Sequence, residues 1–387
     1  MALVISDLDT VENLCWGLAF FGTGGGGRVE AGLDMLAPAI RAGRKLTLVS
    51  PDELSANDWT CWAIILGGKD PDEPPPAADL ARLGLDKEEF PTLVPRLVES
   101  VRELTGYAGV SLGALVSMEL SSAATSATIM TGLELGIPTI DGDYVGRAIP
   151  ELELSKMELL GKPPTPLAMV DRWGNRILVK SAVNATMADW IGRMVSRAAY
   201  GRGIATTGHL VQVSEARPAL VKGSLSRAIA VGAALRQGSS KQGGASKDDT
   251  LAPLKAATGG RVLFQGEATS VDWLSNEPYM WRELVYTIEG RGSWAGATYK
   301  VWVKNEHHAI WRDDTVIATS PDMFAVLDPQ TNKPLTTLGD VTPGRPVTVF
   351  GMKALDAAWH TAAGRALLGP RHFGLGFDYV DFEQGAR

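Results

Sequence analysis

A chain of 387 residues is long enough for two domains, and 45% apolar with 21% charged residues is an ordinary globular balance. A formal net charge of -7, with no basic patch interleaved with aromatics, argues against nucleic acid as a partner. The two cysteines, Cys15 and Cys61, exclude a disulfide framework, and no run is long and apolar enough to span a bilayer, so no membrane partner is expected.

The opening Met-Ala-Leu-Val-Ile-Ser-Asp has no basic leader, so a cytoplasmic protein is expected. Ser6 and Asp9 have the spacing of a capping box. Leu8, Val11, Leu14, Cys15 and Leu18 then recur at helical intervals. The helix runs into Gly22-Thr23-Gly24-Gly25-Gly26-Gly27, and a second helical pattern follows at once through Val29, Leu33, Leu36 and Ile40. The glycines match G-x-G-x-x-G, but a dinucleotide loop needs a strand before it and this one follows a helix. Consecutive glycines lose much backbone entropy on ordering, so they need a reason. One is a nest of N–H groups at a helix start, holding an anionic or carbonyl oxygen. The other is close packing of the backbone against a neighbour.

Strands are predicted at 45–50 and 62–66, then a proline-rich acidic loop at 71–78 and a helix from Leu93. An apolar run from Val110 to Leu120 carries Glu119, and a small-residue helix follows to Leu135. The stretch around which the chain is organised comes next. Ile137 to Ile140 reads as a buried strand ending in Asp141-Gly142-Asp143, with Arg147 and Glu151 close behind. Aspartates one residue apart on extended chain face the same way. Three carboxylates and a guanidinium where a strand ends are a common way to build an α/β site; the plainer reading is a charged loop.

Alternating helices and strands predict an α/β layered domain over 1–166, bounded by Gly161-Lys162-Pro163-Pro164-Thr165-Pro166. Residues 167–387 are predicted to form a β-rich α+β domain. It holds a hairpin about Gly174-Asn175, helices near 185–200 and 224–236, a surface loop at 237–249, and strands from Arg261 onward. His209 reads as a hydrogen-bonded core residue, His360 as a surface helix residue, and His372 as a turn residue able to face a cleft. His307 and His308 are adjacent on a strand, so they face opposite ways and are not expected to share a metal. No tight zinc spacing and no nucleophile elbow is present. A metal is therefore expected only through carboxylates, with Asp141 and Asp143 as candidates. Carboxylates alone suit Mg²⁺ or Mn²⁺, while one imidazole added from a distant histidine would suit Zn²⁺.

Four stretches together carry a family resemblance: Gly22 to Gly27, Glu119 with its small residues, Gly136 to Glu151, and Gly369-Pro370-Arg371-His372-Phe373-Gly374. The chain resembles the S-methyl-thiohydantoin desulfurase-like family over nearly its whole length. The resemblance implies two domains and chemistry on five-membered cyclic ureides or thioureides, in company with hydantoinase and oxoprolinase enzymes. Two departures stand out. Glu119-Leu120-Ser121-Ser122-Ala123-Ala124 replaces the family's Glu-Ile-Gly-Gly-x-Asn, and His307-His308 replaces apolar residues.

The expected function is a hydrolase on a hydantoin- or thiohydantoin-like ring, its water activated by a carboxylate or a carboxylate-bound metal. The expected catalytic residues are Glu119, Asp141, Asp143 and Arg147. The expected substrate-binding residues are Thr23, Gly24, Gly25, Gly26, Gly27, Glu151, Asn305 and Glu306. A homo-oligomer is expected. The alternatives are a regulatory subunit of a hydantoinase-type partner, suggested by the acidic loop and eleven tryptophans, and a nucleotide-binding enzyme using the glycine loop.

Overall fold

The computed structural model describes residues 2–67, 74–200, 203–240, 250–275, 277 and 280–385. The acidic loop predicted at 71–78 lies outside them through residue 73, and the surface loop predicted at 237–249 lies outside them from 241 onward. Two sheets organise the molecule, one mixed and one antiparallel, so the fold is α/β with a β-rich C-terminal half.

The first sheet has nine strands. They are β1 (Leu3–Ile5), β2 (Leu46–Val49), β3 (Trp59–Leu66), β4 (Leu112–Ser117), β5 (Thr139–Asp143), β6 (Leu167–Val170), β7 (Arg176–Val179), β8 (Ile204–Gln212) and β9 (Val221–Lys222). Their order is β1-β2-β5-β4-β3-β8-β6-β7, with β9 on β5. The centre, β2-β5-β4-β3, is parallel. β2, β3 and β4 are mostly apolar, as buried parallel strands are, whereas β5 ends in Asp141-Gly142-Asp143. One covering helix, Ser122–Leu135, is rich in Ser, Thr and Ala. Its small side chains admit close neighbours, and several of its buried hydroxyls find acceptors. Thr128 Oγ1, for example, donates to Ala63 O of β3 at 2.7 Å.

Strands β6 to β8 were predicted to lie beyond a boundary at 166. Instead β8 pairs antiparallel with β3 along its length and carries β6 and β7 with it. An apolar run such as Ile204–Gln212 identifies itself as a strand in sequence but does not name its partner. The first sheet therefore extends to Lys222.

The second sheet has seven antiparallel strands in the order β14-β13-β12-β11-β10-β16-β15. They are β10 (Arg261–Ser275), β11 (Glu283–Gly290), β12 (Thr298–Lys304), β13 (Glu306–Arg312), β14 (Thr315–Thr319), β15 (Met323–Leu327) and β16 (Pro346–Met352). Asn305 makes the reversal between β12 and β13 at a positive φ of 59°.

The helices Leu8–Phe21 and Ser224–Ser240 join the halves, packing on each other and, through Phe20, on Phe350 of β16. The first of these helices is capped by Asp7, whose Oδ1 accepts from Thr10 N–H at 2.8 Å, rather than by Ser6. No helix among the described residues is long and apolar enough to cross a membrane.

Candidate functional site

Parallel strands present their C-terminal ends at one edge of the first sheet, where open α/β folds place ligands. At the ends of β3 and β4 lies a cavity of about 220 Å³. Glu119 sits on its wall two residues after β4 ends. Gly26, Gly27 and Ser121 form one side, Pro150 and Glu151 another, and Trp281 and Asn305 close it from the C-terminal half.

Glu119 is the acid best placed for chemistry. Its backbone carbonyl is fixed by Ser117 Oγ at 2.6 Å and Thr125 Oγ1 at 2.8 Å. One carboxylate oxygen accepts from Ile149 N–H at 2.8 Å, and the residue keeps partial exposure. Burial pushes its pKa up to about 7, although the Ile149 N–H and the Ser121 hydroxyl pull the other way. At neutral pH it is divided between acid and base forms, as a proton-transfer group requires.

The glycine loop divides into two parts. Gly26 and Gly27 line the cavity, and no described residue accepts from their N–H groups. Gly24 and Gly25 face inward instead. A Cβ on Gly24 would come within 2.6 Å of the His307 ring, and one on Gly25 within 1.9 Å of Glu306 Oε1. Close packing therefore accounts for those two positions. Thr23, at a positive φ of 46°, turns its hydroxyl away from the cavity to Arg147.

Arg147 is fully enclosed and does not line the cavity. Its Nη2 donates to Thr23 Oγ1 at 2.9 Å and to His307 O at 3.0 Å. Its Nη1 reaches Asp322 O at 3.3 Å and its Nε reaches Ala148 O at 3.1 Å. The guanidinium thus joins the glycine loop to the second sheet. Glu306 lies behind that loop, buried and off the cavity lining, and its Oε1 accepts from Asn305 Nδ2 at 2.7 Å. Burial and the charge of Glu119 raise the Glu306 pKa well above the usual carboxylate range. His307 and His308 are both buried; burial depresses both pKa values and keeps the rings neutral.

Asp141 and Asp143, expected at the heart of the site, are not among the residues lining the cavity. Asp141 accepts from Ser226 N–H at 3.0 Å and Ser226 Oγ at 2.5 Å, which caps the Ser224–Ser240 helix. Asp143 is buried, and its Oδ2 accepts from Val145 N–H at 2.8 Å and Gly146 N–H at 2.5 Å. Burial lifts its pKa to about 6. With Asp141 committed to a helix and Asp143 to a turn, the pair does not present free oxygens together for a metal.

Glu151 is on the cavity wall, and its carboxylate bridges two residues of the C-terminal half. Lys304 Nζ lies 2.6 Å from Oε1 and His372 Nε2 lies 2.7 Å from Oε2. Burial alone would raise its pKa, but His372 and Lys304 outweigh that and hold it low. Glu153 stands beside it, raised by burial and by the Glu151 charge.

The sequence reading passed over the Asp189–Arg193 pair, which is buried on the wall with Arg193 Nε at 2.6 Å from Asp189 Oδ2. Arg193 also donates to Pro150 O at 2.6 Å and stacks over Trp281 at 4.2 Å. In sequence this is an ordinary helical i,i+4 ion pair; its burial carries no signature there.

Comparison with known proteins supplies three findings. A family model described as the S-Me-THD-like N-terminal domain matches residues 9–181, and one described as the C-terminal domain matches residues 183–382. No curated protein matches the chain. A crystal structure of a protein from Chromobacterium violaceum shares the fold at a TM-score of 0.74 and 21% identity, covering 98% of this chain and 100% of its own.

Proposed function

This chain belongs to the S-Me-THD-like family, and from that membership we propose that it is a hydrolase of a small hydantoin- or thiohydantoin-like ring. The observation that carries the reading is Glu119 on the wall of a cavity of about 220 Å³, with its pKa lifted to about 7. A cavity of that size suits a five-membered ring better than a nucleotide.

In the proposed reaction the Glu119 carboxylate takes a proton from water. The water oxygen bonds to the ring carbon that bears the leaving sulfur or nitrogen. Negative charge develops on the ring heteroatom, where the N–H groups of Gly26 and Gly27 would stabilise it. The C–S or C–N bond then breaks, and protonated Glu119 returns its proton to the leaving atom. Arg147 acts as a positioning residue by fixing the loop through Thr23. Asn305, on the cavity wall, binds the ring's edge.

The test is turnover of a panel of hydantoins, thiohydantoins and S-alkyl thiohydantoins across pH. The base must be ionised, so kcat/KM should rise as pH increases through about 7. Glu119→Gln should lower kcat/KM by about 10²–10⁴ and remove that rise. Equal activity in wild type and E119Q on every accepted ring would overturn the assignment of the base.

A further inference from the structure

Beside the cavity, Glu151, Glu153 and His372 bring together two carboxylates and an imidazole. One ligand atom from each lies within 4.8 Å of the other two. Among the described residues no other group of three or more such side chains is so gathered. Glu151 and Glu153 stand on one turn, whereas His372 comes from near the end of the chain. Glu153 is 6% exposed, and its Oε2 is buried with no hydrogen-bond partner. A buried carboxylate oxygen left unpaired is costly and implies something that completes it.

We propose that Glu151, Glu153 and His372 bind one first-row divalent transition ion of the zinc type beside the cavity, with Glu151 reaching its wall. Three protein ligands with further positions open to water are a common zinc arrangement. The imidazole disfavours Mg²⁺, which prefers an all-oxygen octahedron. The hydrogen bond between His372 Nε2 and Glu151 Oε2, 2.7 Å long, is what an ion would replace. Two nitrogen or oxygen ligands on one ion stand about 3.3 Å apart, so a small separation of the two side chains is enough. Lys304 holds the other oxygen of Glu151 at 2.6 Å and acts as an outer partner that orients the ligand. The inference stands independently of the proposed hydrolysis, because uptake of the ion is measured without a substrate.

The experiment uses the full chain without an affinity tag, stripped with a chelator. It is titrated with Zn²⁺ by calorimetry and with Co²⁺ by visible absorption. One ion per chain is expected, with a cobalt spectrum showing nitrogen coordination. E153Q and H372A should each weaken binding at least about tenfold. H360A, which removes a histidine outside the set, should bind like wild type. Thermal melts of the metal-free variants establish that each is folded. H372A, on a surface turn, keeps the test decisive if E153Q does not fold. A wild-type chain that takes up no ion, or folded H372A that binds as wild type does, would overturn the proposal.

Discussion

Gly25 shows how a side chain from the second sheet can dictate a glycine in the first half. It has no left-handed backbone, so its requirement is steric alone: an added Cβ would stand 1.9 Å from Glu306 Oε1. Gly136 is the converse, with a φ of 72° and nothing within 4 Å. Gly25→Ala should therefore destabilise towards the upper end of about 1–3 kcal/mol. Gly136→Ala should cost about 1 kcal/mol from its backbone alone. Chemical denaturation of the two variants checks both the sizes and their order. The glycine run was legible in sequence as a place with an unusual requirement. What it faces was not, because Glu306 and His307 arrive from a different sheet. Glu119 was legible as a candidate because it follows an apolar strand directly. Its lifted pKa was not, since burial depends on neighbours that spacing does not specify.

At the scale of elements, β5 shows how a correct motif can take a different physical role. Two aspartates at the end of a buried strand look alike whether they meet a ligand or a helix start. Here Asp141 meets the N–H and hydroxyl of Ser226. Asp141→Ala should remove about 0.5–2 kcal/mol of stability through loss of that cap. Urea denaturation measures it, and an unchanged midpoint would show that the cap contributes nothing. Most strands and helices were readable from periodicity and turn residues. The exception is informative: the hairpin of β6 and β7 was readable at Gly174-Asn175, but the pairing of β8 with β3 and with β6 is long-range contact that no local pattern encodes.

At the scale of the molecule, the two family domains share their interior. Arg147 from the first reaches carbonyls of His307 and Asp322 in the second. A buried charge whose partners are divided between two domains makes their separation costly. The helix pair adds a geometric lock. Cβ atoms on Gly17 and Gly232 would stand 1.8 Å from Ala228 O and 1.7 Å from Asn13 O, so the helix backbones touch directly where they cross. Chain severed between residues 182 and 183 would leave each piece with one uncovered, glycine-notched rod. Neither piece should be soluble alone, but co-produced they should find each other and rebuild the whole, as pull-down through a tag on one piece would reveal. The helix crossing would then serve as the seam of a split reporter.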